Sequence, residues 1–291
     1  MHILLIGDEY FHYSSINTVF EVCSRRNEQK VFSTKVMRNI KLTIQYDGTD
    51  FSGWQVQKNT PTIQGLIEKA IFIVTGEETR LTGAGRTDAG VHALDQRAAF
   101  KTGSTLDPPV LSRALNANLP MDIRIIACEE CEDDFHPRYN AKNKTYTYLI
   151  CRDVPFSVFL RRFSLMCTYS LDVQAMDAAG PLITGRHDFS SFRASGCSAK
   201  NPVREIYTIS VLELGSVDFM GFTFKTPLLK ISIQANAFLR HMARNIVGTL
   251  MEVGKGRIPP EEMTAILESK NRDAAGPTAP ACGLFLEKIN Y

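Results

Sequence analysis

The stretch Leu81-Thr-Gly-Ala-Gly-Arg-Thr-Asp-Ala-Gly-Val-His-Ala-Leu-Asp-Gln96 places three glycines around one arginine and one carboxylate. Glycine adopts backbone angles that other residues adopt only at a cost, so this stretch can bend sharply and let a ligand approach its main chain. Arg86 and Asp88 lie at the centre of the bend. An acid beside a fixed cation is typical of a nucleophile or a general base, and the stretch therefore predicts a reactive loop.

Two phosphate-binding motifs do not fit this spacing. The dinucleotide motif G-x-G-x-x-G, begun at Gly83, requires glycine where Asp88 stands. The triphosphate motif G-x-x-x-x-G-K-[ST], begun at Gly85, requires lysine where Val91 stands. The carboxylate of Asp88 would also repel a phosphate. Spacing alone leaves two interpretations of Asp88: a turn aspartate that hydrogen-bonds its own backbone, or a catalytic acid.

The string Gly83-Ala-Gly-Arg-Thr-Asp-Ala-Gly-Val-His-Ala93, with Gln96, resembles the active-site signature of the tRNA pseudouridine synthase A family. The match is long and nearly free of gaps, and the resemblance extends from about Ile40 to Leu286. It implies an isomerase that converts uridine to pseudouridine at positions 38, 39 and 40 of the tRNA anticodon stem-loop. It implies neither a metal nor an organic cofactor. It also implies a homodimer in which one tRNA, held at the anticodon stem-loop and elbow, touches both subunits.

The composition is that of a globular protein. The chain has 291 residues, of which 44% are hydrophobic and 22% are charged, and this length is sufficient for two domains of ordinary size. No apolar run in the sequence reaches the roughly 20 residues that span a bilayer. Because the formal net charge is only +2, a nucleic-acid partner can be inferred only from local basic clusters.

The seven cysteines predict reduced thiols and a cytoplasmic location. Their number is odd, and a chain of this length does not need disulfides to fold. Cys128-Glu-Glu-Cys131 has the spacing of a zinc site, but the sequence has no second Cys or His pair at a matching distance. The histidines form no H-E-x-x-H motif. We therefore predict no metal site.

Residues 1–36 precede the region of resemblance. Met1-His-Ile-Leu-Leu-Ile-Gly7 is apolar, but it lacks the basic start, the core length and the cleavage site of a signal peptide. Four basic residues balance four acidic ones in this segment. We expect Met37 to be the natural start and residues 1–36 to be an upstream extension.

Hydrophobic periodicity predicts an α+β fold. The order strand–helix–strand–strand–helix–strand over residues 40–126 resembles a ferredoxin-like unit, whose first helix is predicted to begin with Thr60 as its cap. The acidic run Glu129 to Asp134 is predicted to be a solvated loop. In the second half, the longest helix is predicted over Phe238 to Gly254, with a closing strand over Thr278 to Leu286. The resemblance implies the pseudouridine synthase fold, in which two ferredoxin-like domains with mixed, largely antiparallel sheets flank a basic cleft. The first domain would span residues 37–138 and carry the reactive loop, and the second would span residues 139–291.

Two residues far from the loop are implicated by the resemblance. Ala235-Asn-Ala-Phe-Leu-Arg-His-Met-Ala-Arg-Asn-Ile-Val-Gly248 resembles the C-terminal motif of the family, which makes Arg244 the partner of the catalytic aspartate. Tyr146 matches the active-site tyrosine, which is implied to stack on the uracil and to take part in proton transfer. The ordinary alternatives are a solvated basic helix face for Arg244 and a strand-core residue for Tyr146.

The basic residues predict how RNA is held. Arg86 is a loop cation that would contact a phosphate or assist base flipping, and further substrate contacts are predicted at Arg138, Lys142, Lys144, Arg186, Arg193, Lys200, Arg204 and Arg240. Each of these alone could be an ordinary surface charge. Two other functions remain open: a non-catalytic protein that binds structured RNA, and a nucleic-acid glycosylase that uses the same aspartate.

Overall fold

The computed structural model describes residues 36–152, 158–197, 199–219, 221–224 and 228–291. The predicted N-terminal extension lies outside these residues, apart from Val36. Within them, the chain forms five α-helices: α1 Ile63–Thr75, α2 Pro108–Ala117, α3 Val173–Ala179, α4 Met242–Gly254 and α5 Glu262–Ser269. It also forms twelve β-strands: β1 Arg38–Tyr46, β2 Thr82–Gly83, β3 His92–Thr102, β4 Ile123–Cys131, β5 Asn143–Cys151, β6 Leu165–Met166, β7 Gly185–Asp188, β8 Val203–Leu214, β9 Val217–Phe219, β10 Phe222–Phe224, β11 Leu228–Ala235 and β12 Leu284–Asn290.

Ten of the described strands form one sheet. Its order is β4-β1-β3-β12-β5-β11-β8-β7, with β2 added to β3 and β6 added to β5, while β9 and β10 pair with each other. The pairings of β12 with β3 and of β6 with β5 are parallel, and the others are antiparallel. The predicted α+β class, with a mixed and largely antiparallel sheet, is therefore confirmed.

The two halves of the sheet repeat one topology. The first half runs β1-α1-β2-β3-α2-β4, and the second runs β5-α3-β8-β11-α4-β12 with short added strands. When the four main strands of each half are numbered along the chain, both halves have the spatial order 4-1-3-2. Strand β12 lies between β3 and β5 and joins the halves, with Leu286 opposite both Ala93 and Tyr146. A domain boundary between residues 138 and 139 falls in the connector from β4 to β5 and stays a prediction.

The helices are held by apolar stripes that face the sheet. On α1, Ile63, Ile67 and Ile71 are buried in one cluster with the inward residues of β1. The helix ends at Gly76, whose left-handed φ of 72° closes the last turn. It begins two residues later than predicted, because the hydroxyl of Thr62, not Thr60, accepts the Gly65 N–H at 3.3 Å.

The predicted acidic loop is partly a strand. Glu129 and Glu130 belong to β4, where they lie opposite Lys41 and Ile40 of β1. Lys41 Nζ is 2.8 Å from Glu129, and Arg38 is 3.3 Å from Glu130. Opposite charges on neighbouring strands stabilise the pairing, so a run of acidic residues continues the sheet here instead of ending it.

Two boundaries in the second half differ from the prediction. Helix α4 begins at Met242, not Phe238, because the preceding His241 has a left-handed φ of 61° and interrupts the helical geometry. The closing strand begins at Leu284, not Thr278, because the backbone around Ala279 bonds to α4 instead of to a strand: the Ala279 N–H donates to the Arg244 carbonyl at 3.1 Å. Both departures bring backbone segments to the end of α4 that faces the reactive loop.

Candidate active site

The reactive loop, residues 84–91, connects β2 to β3 and is held by buried side chains. Lys144 Nζ donates to the Ala84 carbonyl at 2.6 Å, and Gln96 Nε2 donates to the Gly85 carbonyl at 2.8 Å. Further along, the Tyr46 and Thr87 hydroxyls are 2.8 Å apart in a buried contact. Hydrogen bonds thus fix the loop at three residues, Ala84, Gly85 and Thr87, before the chain reaches Asp88.

The glycines of the loop region give the sharp bend that the sequence predicts and leave room for a neighbouring side chain. A Cβ on Gly83 would lie 2.7 Å from the ring of Trp54, which is buried beneath the loop. The backbone N–H of Trp54 donates to the Thr87 carbonyl at 3.0 Å. Gly90 has a φ of 75°, which an L side chain rarely adopts, and it turns the chain from Asp88 into β3. The tight bend therefore depends on packing as well as on backbone freedom.

Asp88 meets two basic side chains from the far half of the chain. Arg244 Nη1 is 3.4 Å from Asp88 Oδ2, and His241 Nε2 is 3.5 Å from the same oxygen. The Asp88 side chain is 29% exposed and that of Arg244 is 16% exposed. Arg244 is aimed by its own Nε–H, which donates to the Ala279 carbonyl at 2.7 Å. The structure thus brings together Asp88 and Arg244, which lie 156 residues apart.

Tyr146 lies on β5 beside the reactive loop. It is 7% exposed, and its ring packs edge-on against Phe238 with the centroids 4.7 Å apart. Its hydroxyl is 4.0 Å from the position that a Cβ on Gly85 would occupy. Burial raises the pKa of Tyr146, and the nearby Tyr46 and Asp88 raise it further. The phenol therefore remains protonated at neutral pH and can act as a hydrogen-bond donor.

Lys144 does not lie among the surface cations where the sequence placed it. It is 7% exposed, and its ammonium group points at the loop. Burial lowers its pKa from 10.5 to about 8, and the charges of Arg138 and Arg204 contribute to this shift. Its position favours a role in holding the loop over direct contact with an RNA phosphate.

The other predicted RNA contacts are at the surface. Arg86 is exposed and makes no ion pair with any residue that the structure describes. Arg193 and Arg204 are half-buried, and Arg204 Nη1 donates to the Val203 carbonyl at 2.6 Å. The remaining ones are exposed: Arg138, Lys142, Arg186, Lys200 and Arg240.

The described residues include no group of three or more His, Cys, Asp or Glu side chains that could hold a metal ion. Cys128 and Cys131, which have zinc-like spacing, are free thiols on β4. Across the described ranges, no helix has the length and apolar character needed to cross a membrane.

Comparison with known proteins identifies the family. Residues 42–140 and 181–291 match the family model described as tRNA pseudouridine synthase. The chain belongs to this family. It is 42% identical over 255 residues to the tRNA pseudouridine synthase A of Thermodesulfovibrio yellowstonii, a match that covers 88% of this chain and 100% of the relative. With the same coverage it is 46% identical to the enzyme of that name from Acetivibrio thermocellus and 45% identical to that from Caldicellulosiruptor bescii.

The sequence predicted only part of the side-chain cluster around Asp88. His241 was absent from the predicted site, although it directly follows Arg240, which was predicted. The supporting role of Lys144 was also missed, yet a signal for it exists. Alternation along β5 places Lys144 on the same face as Tyr146 and Tyr148, which are both buried.

Replacing Lys144 with methionine is expected to lower turnover of tRNA about tenfold, because the Ala84 carbonyl loses a charge-assisted hydrogen bond and the loop is no longer fixed. Thermal stability at pH 7 should not fall. The buried ammonium costs about 3 kcal/mol below pH 8, and this cost disappears only as the pH rises from about 8 to 10.5.

Methionine removes that cost, which offsets the loss of the hydrogen bond. Steady-state kinetics and thermal unfolding at pH 7 and pH 10 test this prediction, and Lys69→Met, at an exposed lysine of α1 outside the predicted RNA contacts, is the matched control. A variant that unfolds at a clearly lower temperature at pH 7 would contradict the assignment of a buried, costly charge to Lys144.

Proposed function

We propose that this protein isomerises uridine to pseudouridine at positions 38, 39 and 40 of the tRNA anticodon stem-loop, with Asp88 as the nucleophile. The observation that supports it best is the placement of Asp88. Its carboxylate lies at the tip of a loop fixed by three buried side chains, within 3.5 Å of Arg244 and His241 and beside the buried phenol of Tyr146. A turn aspartate that only caps its own backbone would not need partners from the far half of the chain.

The chemistry requires one bond exchange and one proton movement. The N1–C1′ bond of uridine breaks and the C5–C1′ bond forms. C5 loses its proton, and N1 gains a proton. An ionised carboxylate can form the covalent intermediate by adding to the sugar or to the base. The guanidinium of Arg244 offers only N–H donors, so it can orient Asp88 by donating hydrogen bonds.

Tyr146 is proposed to stack on the extruded uracil and to donate a hydrogen bond. A uridine in a stem must leave its stack to reach the acid, and enzymes that flip bases commonly hold the base against an aromatic or apolar surface. The ring of Tyr146 already packs on Phe238, which fixes its plane. The phenol stays neutral because burial raises its pKa.

The Tyr146→Phe variant separates these two roles. We expect turnover to fall by roughly 10²-fold, since the ring is retained but the hydroxyl is lost, while the dissociation constant for tRNA changes by less than about threefold. Single-turnover kinetics and filter binding provide the two measurements. Full turnover in this variant would leave only the stacking role.

The exposed basic residues are proposed to follow the tRNA backbone. A-form RNA is recognised mainly through its shape and phosphates, which suits dispersed cations better than base-reading side chains. Arg86, exposed at the loop beside Asp88, is proposed to contact the backbone at the flipped nucleotide. We further propose a homodimer in which one tRNA touches both subunits.

The test uses purified protein and a tRNA transcript labelled with tritium at uridine C5. Isomerisation releases the label and gives primer-extension stops after carbodiimide treatment at positions 38, 39 and 40. Transcripts with cytidine at each of these positions in turn are the controls. A glycosylase would leave an abasic ribose, and an RNA-binding protein without activity would produce neither signal, so either result would overturn the proposal.

A further inference from the structure

His241 occupies an unusual backbone conformation at the edge of the site. It directly precedes α4 with φ 61° and ψ 2°, in the left-handed region. Among the described residues, only Asn59 and Lys270 are other non-glycine residues with positive φ. This conformation is uncommon for a side chain with a Cβ, and such strain persists only where the surrounding structure fixes it. Here the turn directs the imidazole to Asp88, with Nε2 3.5 Å from Oδ2.

The two basic side chains approach one oxygen of Asp88 and leave the other open. Arg244 Nη1 and His241 Nε2 both lie within 3.5 Å of Oδ2. No residue in the described ranges hydrogen-bonds to Oδ1. Oδ2 accepts the Arg244 Nη1–H and faces His241 Nε2 at 3.5 Å, so its lone pairs are less available to a substrate than those of Oδ1. Oδ1 is therefore the oxygen available to a substrate.

The charge state of His241 is set by groups on several segments. Burial lowers its pKa below 6.5, the Asp88 carboxylate opposes this shift, and three arginines, Arg244, Arg240 and Arg272, lower the pKa again. The imidazole is consequently neutral at pH 7, where it can donate one N–H to Oδ2. Below its pKa it becomes a second cation beside the carboxylate, which would hold the anion more strongly in its ground state.

We propose that His241 is a positioning residue for Asp88: as a neutral donor it fixes Oδ2 together with Arg244, so that Oδ1 faces the uridine. This inference rests on the proposed function, since it takes Asp88 as the nucleophile. Its consequence is an acid limb in the rate of isomerisation. The rate is highest with neutral His241 and falls as the pH drops through the pKa of that group, because the protonated imidazole weakens the nucleophile.

The test measures single-turnover tritium release from C5-labelled tRNA between pH 5 and pH 8. For the wild-type protein we expect a plateau at neutral pH and a rate that falls towards the acid end along a single protonation. His241→Asn retains a neutral donor and a residue that tolerates left-handed φ, but it does not titrate. We expect it to be about tenfold slower at pH 7, with a rate that is nearly independent of pH and with unchanged tRNA affinity.

Two further variants keep the result interpretable. His241→Gly accommodates the backbone conformation without a side chain and should also lose the acid limb. It therefore provides the same comparison if the asparagine variant does not fold. Lys270→Asn changes another left-handed position, at the end of α5, and should match the wild-type profile. An acid limb that persists in both His241 variants overturns this assignment alone. If the wild-type protein releases no label at any pH, the proposed function fails with it.

Discussion

The Asp88→Asn variant is expected to lose tritium release from C5-labelled tRNA by a factor on the order of 10⁴ or more. Asparagine has nearly the same shape, so the loop and its hydrogen bonds to Lys144 and Gln96 should remain. An amide oxygen, however, cannot act as the leaving carboxylate in a covalent intermediate. Binding of tRNA, measured by filter retention, should change by less than about threefold, because one neutralised acid among many basic contacts affects affinity little.

Asp133→Asn is the control for Asp88→Asn. Asp133 is 81% exposed and pairs with Lys101 on β3, away from the reactive loop, so its replacement should leave turnover unchanged. The catalytic assignment would be wrong if Asp88→Asn retained more than about one hundredth of the wild-type rate. A parallel loss of tRNA binding would instead place Asp88 in RNA recognition.

The sequence predicted the sharp bend around Asp88 because local requirements determine it. Gly83 has no space for a Cβ beside Trp54, and Gly90 needs a left-handed φ, so both requirements appear directly as residue types. The strand and helix pattern was similarly visible, since buried positions on β1, α1 and β11 follow periods of 2 and 3.6. The repeated 4-1-3-2 order is consistent with this pattern, although the halves share no visible sequence repeat.

The start of α4 could not be predicted from periodicity. Phe238, Leu239 and Met242 pack into the core in the observed turn as they would in a helix, so the apolar pattern is compatible with both. The break occurs at His241. Histidine adopts left-handed φ more often than most residues with a Cβ, but this conformation is still uncommon for it, so the residue type alone does not mark the break. Contacts with Asp88 across the fold favour this conformation, and such contacts are invisible in the local sequence.

The prediction of a solvated loop at the acidic run of β4 was partly wrong for a related reason. Glu129 and Glu130 appear typical of solvent when they are considered alone, but their cations lie on β1, about 90 residues earlier. Only the strand register shows that the charges are complementary. The burial of Lys144 was missed for a different reason. The alternation along β5 did indicate a buried position, but the usual preference of lysine for the surface favoured the opposite prediction.

Arg244→Met is expected to reduce the turnover number by roughly 10²- to 10³-fold with little change in tRNA affinity. The guanidinium bridges two distant elements, since Nε–H donates to the Ala279 carbonyl and Nη1 contacts Asp88 Oδ2. Methionine fills similar space but leaves Asp88 without its fixed cation. Arg244→Lys should recover little of the loss, because a single ammonium group cannot reach both partners in this geometry.

Arg240→Met provides the matched comparison for Arg244→Met. Arg240 lies four residues earlier, before α4 begins, and is exposed. Its replacement should weaken tRNA binding and reduce the salt dependence of binding, as loss of one phosphate contact does, while the single-turnover rate at saturating enzyme stays close to wild type. If both variants changed binding and neither changed the rate, Arg244 would be a backbone contact like Arg240. The fixed orientation of Asp88 would then have to come from His241 and the loop alone.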